Sequence, residues 1–531
     1  MGFVKGFSSL FLRWPPPRGV CPCPCRGRPA HLAALLAAVW WLAVSGSASV
    51  VAAPPALDLS LQQAVLMAVE NNPALAVQRL DIPIVRTYED DQRAVFDPVF
   101  NAAAIHQQQR APGATEGAGE YDLSTARTTT TAVDATLSQY LPTGTRLTLE
   151  AGTVKGPAYL PSAYHASRAG LTVSQALLQG FGIDVNLASL RQARLDTRIS
   201  EYEFRAYAAA FLQQVEEACW DYTLAVRQID IVDQSLKLAR DQLSETAERI
   251  QVGKLARIEL VAAEVEVAQR LENQINARSN LANICLVLIR LLNPGGADPW
   301  ACPVTISTPD GTTPPAPDPL EQHAAVALRL RPELNQAKLQ IQRQVLEVVK
   351  TQNGLLPKMD AFLTLGKSGY ADSFTGSVHG EQGNGYDLAA GLTLQYPIFN
   401  RQAEADHRRA KLARAQANEA LVNLTQLVQV DVRTAYVEVQ RANAQLEATR
   451  QTRRLQEENL RAEQEKFRNG KSTSLLVGQV QRDLLQSQII EARTRADGFK
   501  ALIRLFRMDG SLLSRRGLVV PGDTPISDPK E

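Results

Sequence analysis

The sequence predicts a mainly α-helical protein with a β part, built from two copies of one unit in tandem. Three observations support this fold class. Two long stretches lack proline, one between Pro161 and Pro294 and one between Pro397 and Pro521, as long uninterrupted helices require. Landmark residues recur in the same order in both halves of the chain. Ahead of each helical stretch lie segments of alternating polarity, which are typical of strands.

The N-terminal segment predicts a secretory signal peptide over residues 1–53, with an extended basic leading region. The first 57 residues contain no Asp or Glu, and basic residues precede the apolar run 32–44 and a series of small residues. This order is typical of signal peptides, whereas the run is short for a permanent membrane anchor, the alternative interpretation. Because cleavage removes five basic residues, the formal net charge falls from +1 to −4.

The tandem duplication rests on matched positions in the two halves. Pro73 and Pro98 are 25 residues apart, as are Pro332 and Pro357, and the two pairs are offset by 259 residues. Other landmarks follow in the same order, including Gly-Lys pairs ahead of the last helix of each half. The predicted organisation is a first repeat at 54–302, a Pro-rich extended linker at 303–319, a second repeat at 320–512 and a C-terminal tail at 513–531.

Each repeat is predicted to contain a first helix, a strand region, a long helix and a return helix. In the first repeat these cover about 60–93, 97–178, 187–250 and 256–292; in the second, 319–353, 358–399, 402–467 and 474–508. The long helices would measure roughly 95–100 Å at 1.5 Å per residue. Apolar residues step by three and four along both, as in Val215, Ala218, Tyr222 and Ala225, which is typical of a coiled-coil seam.

The strand regions allow two interpretations. Segments such as Arg146–Ala151 alternate polar and apolar residues, which fits either an outer-membrane barrel or a solvent-exposed sheet. The turn signal Pro142-Thr143-Gly144-Thr145 indicates an extra pair of strands in the first repeat. The polar, Gly-rich segment Gly366–Tyr386 is predicted to be a long external loop.

The sequence offers no catalytic, cofactor-binding or metal-binding residues. The six histidines lack metal-ligand spacing, and Gly366-Lys367-Ser368 lacks the earlier glycine that a P-loop requires, because Ala361 stands there. With 56 Lys and Arg against 55 Asp and Glu, the chain has no basic excess for nucleic acid. We therefore expect no enzyme, no cofactor and no nucleic-acid partner.

Taken together, the ordered landmarks resemble the TolC-like outer-membrane efflux protein family over about residues 57–512. Four segments carry the resemblance: Arg331–Leu334, Leu355–Lys358, and the strand-to-helix entries Leu171–Leu178 and Leu392–Phe399. The resemblance implies a homotrimer with a shared β-barrel in outer-membrane lipid and a periplasmic α-helical barrel of long coiled-coil helices. It implies four strands per subunit, so the extra pair leaves the strand number open.

The resemblance also implies which residues face the adaptor protein and which lie at the mouth of the tunnel. Two turns look like the family's periplasmic hairpin turns and would face a periplasmic adaptor protein; they comprise Val252, Gly253, Lys254, Asn469, Gly470 and Lys471. In some members, aspartates just after the second turn form a ring at the tunnel mouth; this chain has Leu476 and Gln479 at those positions. Glu259 is the first-repeat equivalent of Leu476, and it is an alternative candidate for a residue at the tunnel mouth.

The predicted function is passive export of drugs and other solutes through the outer membrane of a Gram-negative-type bacterium. Substrates would be delivered by an inner-membrane RND or ABC transporter through the adaptor. Type I protein secretion is an alternative within the same class. A periplasmic coiled-coil scaffold without a pore is an alternative of another class.

Overall fold

A computed structural model describes residues 57–117, 120–156, 164–253, 255–295, 300, 304–307, 313–381 and 383–526. The signal peptide predicted over 1–53 lies outside the described residues. So do Lys254 and parts of the predicted linker.

Eleven helices and eight strands are found within these residues. The helices are α1 Leu61–Asn71, α2 Pro73–Ala94, α3 Ile183–Asn186, α4 Ala188–Gln251, α5 Ile258–Leu292, α6 Leu320–Leu330, α7 Pro332–Asn353, α8 Phe374–His379, α9 Arg401–Arg468, α10 Ser474–Met508 and α11 Leu512–Arg515. The strands are β1 Leu57–Ser60, β2 Val99–Gly117, β3 Glu120–Tyr140, β4 Thr145–Lys155, β5 His165–Ala176, β6 Val304–Ser307, β7 Lys358–Ala371 and β8 Gly383–Gln395. The predicted fold class, mainly helical with a β part and duplicated, is confirmed.

The first helix of each repeat is two helices, where the sequence analysis predicts one. The break falls before Pro73 and before Pro332, each of which opens a new helix at its first position. Proline has no N–H to continue the preceding helix but suits the first turn of the next. The Asn72 side chain accepts hydrogen bonds from the N–H groups of Ala74 and Leu75, which caps α2.

Six strands form one antiparallel sheet in the order β2-β3-β4-β5-β7-β8. The first repeat contributes four of them, so the implied count of four per subunit is wrong for this chain. The first repeat contains two hairpins, β2–β3 and β4–β5, because Leu141–Thr145 makes a tight turn from β3 into β4, with Gly144 at φ +87°. The segment predicted as a loop at 366–386 is mostly the ends of β7 and β8 with α8 between them, because its alternating residues pair across the two strands.

Inside the predicted linker, β6 pairs in parallel with β1.

The long helices α4 and α9 contain 64 and 68 residues, or about 96 and 102 Å at 1.5 Å per residue. Far from the sheet, the packing order is α5-α4-α10-α9. Nearer the sheet, α2 and α7 replace the return helices, so the order becomes α2-α4-α7-α9. The protomer is therefore a layer four helices wide whose edges are α2 and α5 on one side and α9 on the other.

The seams of this layer bury the residues of the coiled-coil repeat, including Val215, Tyr222 and Val232 in α4 and Val428, Val432 and Val439 in α9. Residues 516–523 also pack on α4. The Arg516 guanidinium donates two hydrogen bonds to the fully buried Glu216 carboxylate, at 2.6 and 2.7 Å, which raises the pKa of Arg516. The buried Arg205 side chain contacts Gly522 and Asp523. Residues 513–526 of the segment predicted as a tail are thus part of the packed protomer, and the remainder of that segment lies outside the described residues.

Candidate functional site at the tip of the helical hairpins

The first hairpin, α4–α5, and the second hairpin, α9–α10, reverse direction with the same local geometry. Gly253 has φ +73° and Gly470 has φ +72°, a left-handed conformation that side chains other than glycine rarely adopt. Each glycine N–H donates to a carbonyl three residues earlier, Ile250 and Phe467 respectively, at 3.0 Å. The two turns and the first turns of α5 and α10 form one surface, called the tip below.

The structure places the predicted turn residues in exposed positions at the tip. Val252 is 67% exposed, and Asn469, Gly470 and Lys471 are also exposed. A side chain added at Gly253 or Gly470 would meet no atom within 4 Å. These positions are open to solvent in the protomer, and their contact with an adaptor stays a prediction.

The two hairpins are joined at the tip by contacts that match the helix dipoles. The half-buried Glu259 carboxylate accepts hydrogen bonds from the N–H and the hydroxyl of Ser474, at 3.1 and 2.6 Å, at the start of α10. The Arg249 guanidinium donates to the Phe467 carbonyl at 3.2 Å, at the end of α9, and stacks over its ring at 4.9 Å. A carboxylate at a helix N-terminus and a guanidinium at a C-terminus are both favourable. Glu259 is therefore engaged in holding the hairpins together.

Further along the hairpins, a buried ionic cluster joins α5 to α10. The Glu266 carboxylate is bound by Arg270, at 3.1 Å on the same helix, and by Arg482 of α10. Burial lowers the pKa of Arg270. Gly478 lets the helices approach closely, because a Cβ there would lie 3.1 Å from Glu266 side-chain atoms.

The two positions where some relatives carry acidic residues are apolar or neutral here. Leu476 is 46% exposed and Gln479 is exposed. Sequence reasoning missed Arg249, Glu266 and Arg482, which make charged contacts between the hairpins at and near the tip. Arg and Glu residues that flank the apolar seam of a coiled coil often form ion pairs between helices. Charged residues at such positions could therefore have been proposed as contacts between the hairpins.

The sheet has two chemically different faces. On the apolar face, one row of paired residues crosses all six strands: Phe100, Leu137, Leu149, Leu171, Leu365 and Leu388. On the polar face, the next row holds Asn101, Thr136, Glu150, Gly170, Gly366 and Asp387. There the Arg168 guanidinium binds the carboxylates of Glu150 and Asp387. Apolar-out and polar-in alternation is the pattern of a membrane barrel with an aqueous lumen.

Within the described ranges, no group of three or more His, Cys, Asp or Glu side chains is arranged to hold a metal ion. The described structure consists of a hairpin tip, a layer of helices and an amphipathic sheet. These parts are those of a channel through which solutes pass.

Comparison with known proteins agrees with that reading. Residues 324–511 match the family model of the outer membrane efflux protein. A search of curated proteins gives no match.

Solved structures share the fold over most of the chain. The channel protein CusC superposes with a TM-score of 0.64 at 15% identity, covering 86% of this chain and 93% of its own. The CmeC outer membrane channel of Campylobacter jejuni gives 0.62 at 14% identity, covering 85% and 86%. The outer membrane protein VceC of Vibrio cholerae gives 0.60 at 13%, covering 85% and 96%.

The family match in the second repeat and the shared fold agree with the resemblance and with the predicted location in the outer membrane. The second repeat therefore carries the sequence signature of the outer membrane efflux proteins, and the chain as a whole has the fold of the TolC-like channels.

Proposed function

We propose that three copies of this chain form a passive export channel, and that a periplasmic adaptor docks an inner-membrane RND or ABC transporter onto its tip. The observation that carries this proposal is that the protomer has two complementary open edges. One edge runs along β2, α2 and α5; the other runs along β8 and α9.

Both edges expose apolar side chains in the isolated protomer. On the first edge, Val77, Leu80 and Ile84 of α2 are 56–60% exposed, and Ile258, Val261 and Val265 of α5 are 49–71% exposed. On the second, Leu412, Val430, Val437 and Leu455 of α9 are 58–63% exposed. The spacings between these α9 residues are 18, 7 and 18 residues, which are close to whole numbers of helical turns, so their side chains form one stripe along one face of the helix. A neighbouring copy would cover both sets.

The same edge explains an unusual property of α5. By length and composition it is the one helix in the described parts of the chain that could cross a membrane, yet only 17% of its most apolar window is buried in the protomer. We assign its exposed apolar surface to contact with α9 of the next subunit.

Replacing Gly470 and Lys471 together with glutamate is expected to abolish export and leave the trimer intact. The change adds two carboxylates to an exposed turn and reverses one charge, so it would repel an adaptor without touching a subunit edge. Drug or solute export in cells and trimer recovery by gel would be measured in parallel. Unchanged export would refute the docking role of this turn.

Gly517→Glu is the matched control for that experiment. Gly517 has φ +70° and open space around it, as Gly470 does, but lies in the C-terminal segment. It reproduces at another place the backbone strain and the single added carboxylate of the Gly470→Glu change. We expect it to retain export.

Replacing Arg482 with alanine is expected to loosen the contact between α5 and α10. This partly exposed arginine supplies one of the two guanidinium groups on Glu266. Its loss should destabilise the conformation in which α5 and α10 are in contact by about 1 kcal/mol, which shifts the equilibrium toward separated helices about fivefold. Single-channel recording should show more frequent opening. Arg461→Ala, at an exposed position on α9, should leave the opening frequency unchanged.

A further inference from the structure

We propose that the shared barrel of this protein contains eighteen strands, and that its external mouth is as wide as the helical tunnel and admits bulky hydrophilic solutes. The inference rests on the proposed trimer. It follows from the size and continuity of the sheet in one protomer.

The additional hairpin β2–β3 is an integral part of the membrane sheet. Strand β3 pairs with β4 over ten consecutive residues, from Thr131–Lys155 to Tyr140–Arg146. The apolar row of the sheet begins on this hairpin, at Phe100 and Leu137, and continues without a change of face to Leu388. A hairpin folded into the lumen as a plug would interrupt that row.

Closure of a barrel requires the two free edges to pair in the correct sense. The free edges of the six-stranded sheet are β2 and β8. Because four strands lie between them and every neighbouring pair is antiparallel, β2 runs away from the helical layer and β8 runs back toward it. Pairing of β2 with β8 of the next subunit is therefore antiparallel, as every other pair in the sheet is, and leaves no open edge.

The strand number fixes the approximate width. With strands 4.8 Å apart and tilted about 40°, eighteen strands give a backbone diameter of about 36 Å, whereas twelve give about 24 Å. Twelve helices about 9 Å apart give a ring of about 35 Å. The wider barrel thus matches the tunnel formed by three layers of four helices.

Side chains narrow the mouth by about 5 Å on each side, half the spacing of packed sheets, which leaves about 26 Å for eighteen strands and about 14 Å for twelve. The polar face adds little bulk at two of its positions, Gly170 and Gly366, where the neighbouring Glu150 and Asp387 carboxylates lie along the sheet. Solutes that pass the tip would therefore meet no narrower passage in the outer membrane. The substrate class that this geometry favours is large, hydrated molecules.

Disulfide mapping in the full-length protein tests the strand count. Ala104→Cys on β2 would be combined in turn with Ala390→Cys, Leu392→Cys and Leu394→Cys on β8, all on the apolar face. At least one pair should give an oxidant-dependent covalent trimer, since disulfides need Cα atoms about 4.4–6.8 Å apart. Each single variant is the control for the native cysteines.

The competing arrangement is a twelve-stranded barrel in which β4 is the edge. It predicts instead that Ala151→Cys on β4 links to the same β8 positions. That result would overturn the proposal while leaving the trimer intact. Absence of any trimer by native mass spectrometry would instead refute the proposed assembly.

Polymer exclusion then measures the mouth. Neutral polyethylene glycols would be added on the external side of the channel in planar bilayers. Polymers with a hydrodynamic radius of about 1 nm should enter and lower the conductance, because the expected mouth radius is about 13 Å. Exclusion of all polymers above about 0.7 nm, the radius of the twelve-stranded mouth, would refute the wide barrel.

Discussion

Replacing Val430 and Val437 with aspartate is expected to abolish the trimer and leave a folded protomer. Both valines are 58% exposed and lie on the α9 stripe that faces away from α10. In the assembly each would be buried against the edge of the neighbouring subunit that carries α2 and α5, where an unpaired carboxylate costs several kcal/mol. Six such charges in one ring of contacts should eliminate the heat-resistant trimer band and the channel activity. Circular dichroism should show an unchanged helix content.

Gln445→Asp is the control for this double variant. Gln445 is exposed on the same helix but lies off the stripe, and it accepts a hydrogen bond from Arg441 at 2.8 Å. An aspartate there gains a partner. A trimer that survives the double substitution would show that α9 is not a subunit edge, and the proposed assembly would fail with it.

Replacing Arg516 with alanine is expected to be the most destabilising single change to the protomer. It leaves the Glu216 carboxylate, which is 0% exposed, without its bidentate partner in the core around α4. Removal of one partner from a buried ion pair costs about 3 kcal/mol or more. Denaturant unfolding of the protein in detergent should shift to a markedly lower midpoint.

The neighbouring residue provides the comparison. Arg515 pairs with Asp318 at 3.0 Å, but both side chains are 40–53% exposed. Arg515→Ala should cost about 1 kcal/mol or less, because exposed pairs are screened by water. Equal effects of the two substitutions would mean that burial of Glu216 does not govern stability.

Much of the helical architecture could be predicted from the sequence because it is encoded locally. Proline-free stretches and three-four spacing predicted long helices over 187–250 and 402–467, and the structure has them at 188–251 and 401–468. The breaks at Pro73 and Pro332 were available in the same way, since proline at a first helical position is itself a signal. In the sequence analysis each proline instead lies within one continuous helix.

The contacts at the tip could not be predicted, because they join residues far apart in the chain. Glu259 and Ser474 are separated by 215 residues, and Arg249 and Phe467 by 218. No periodicity relates such pairs. The width of the sheet was ambiguous for a different reason: alternation over a few residues shows that a strand exists but does not show which strand it pairs with.

The C-terminal segment sets the order in which a protomer can be completed. Arg516 and Asp523 bind Glu216 and Arg205 of α4, which lie 300 and 318 residues earlier in the chain. Until these residues dock, the Glu216 carboxylate and the Arg205 guanidinium lack their partners, and burial of an unpaired charge is unfavourable. Burial of this part of α4 and docking of the C-terminal segment are therefore coupled steps, and we expect neither to be complete without the other.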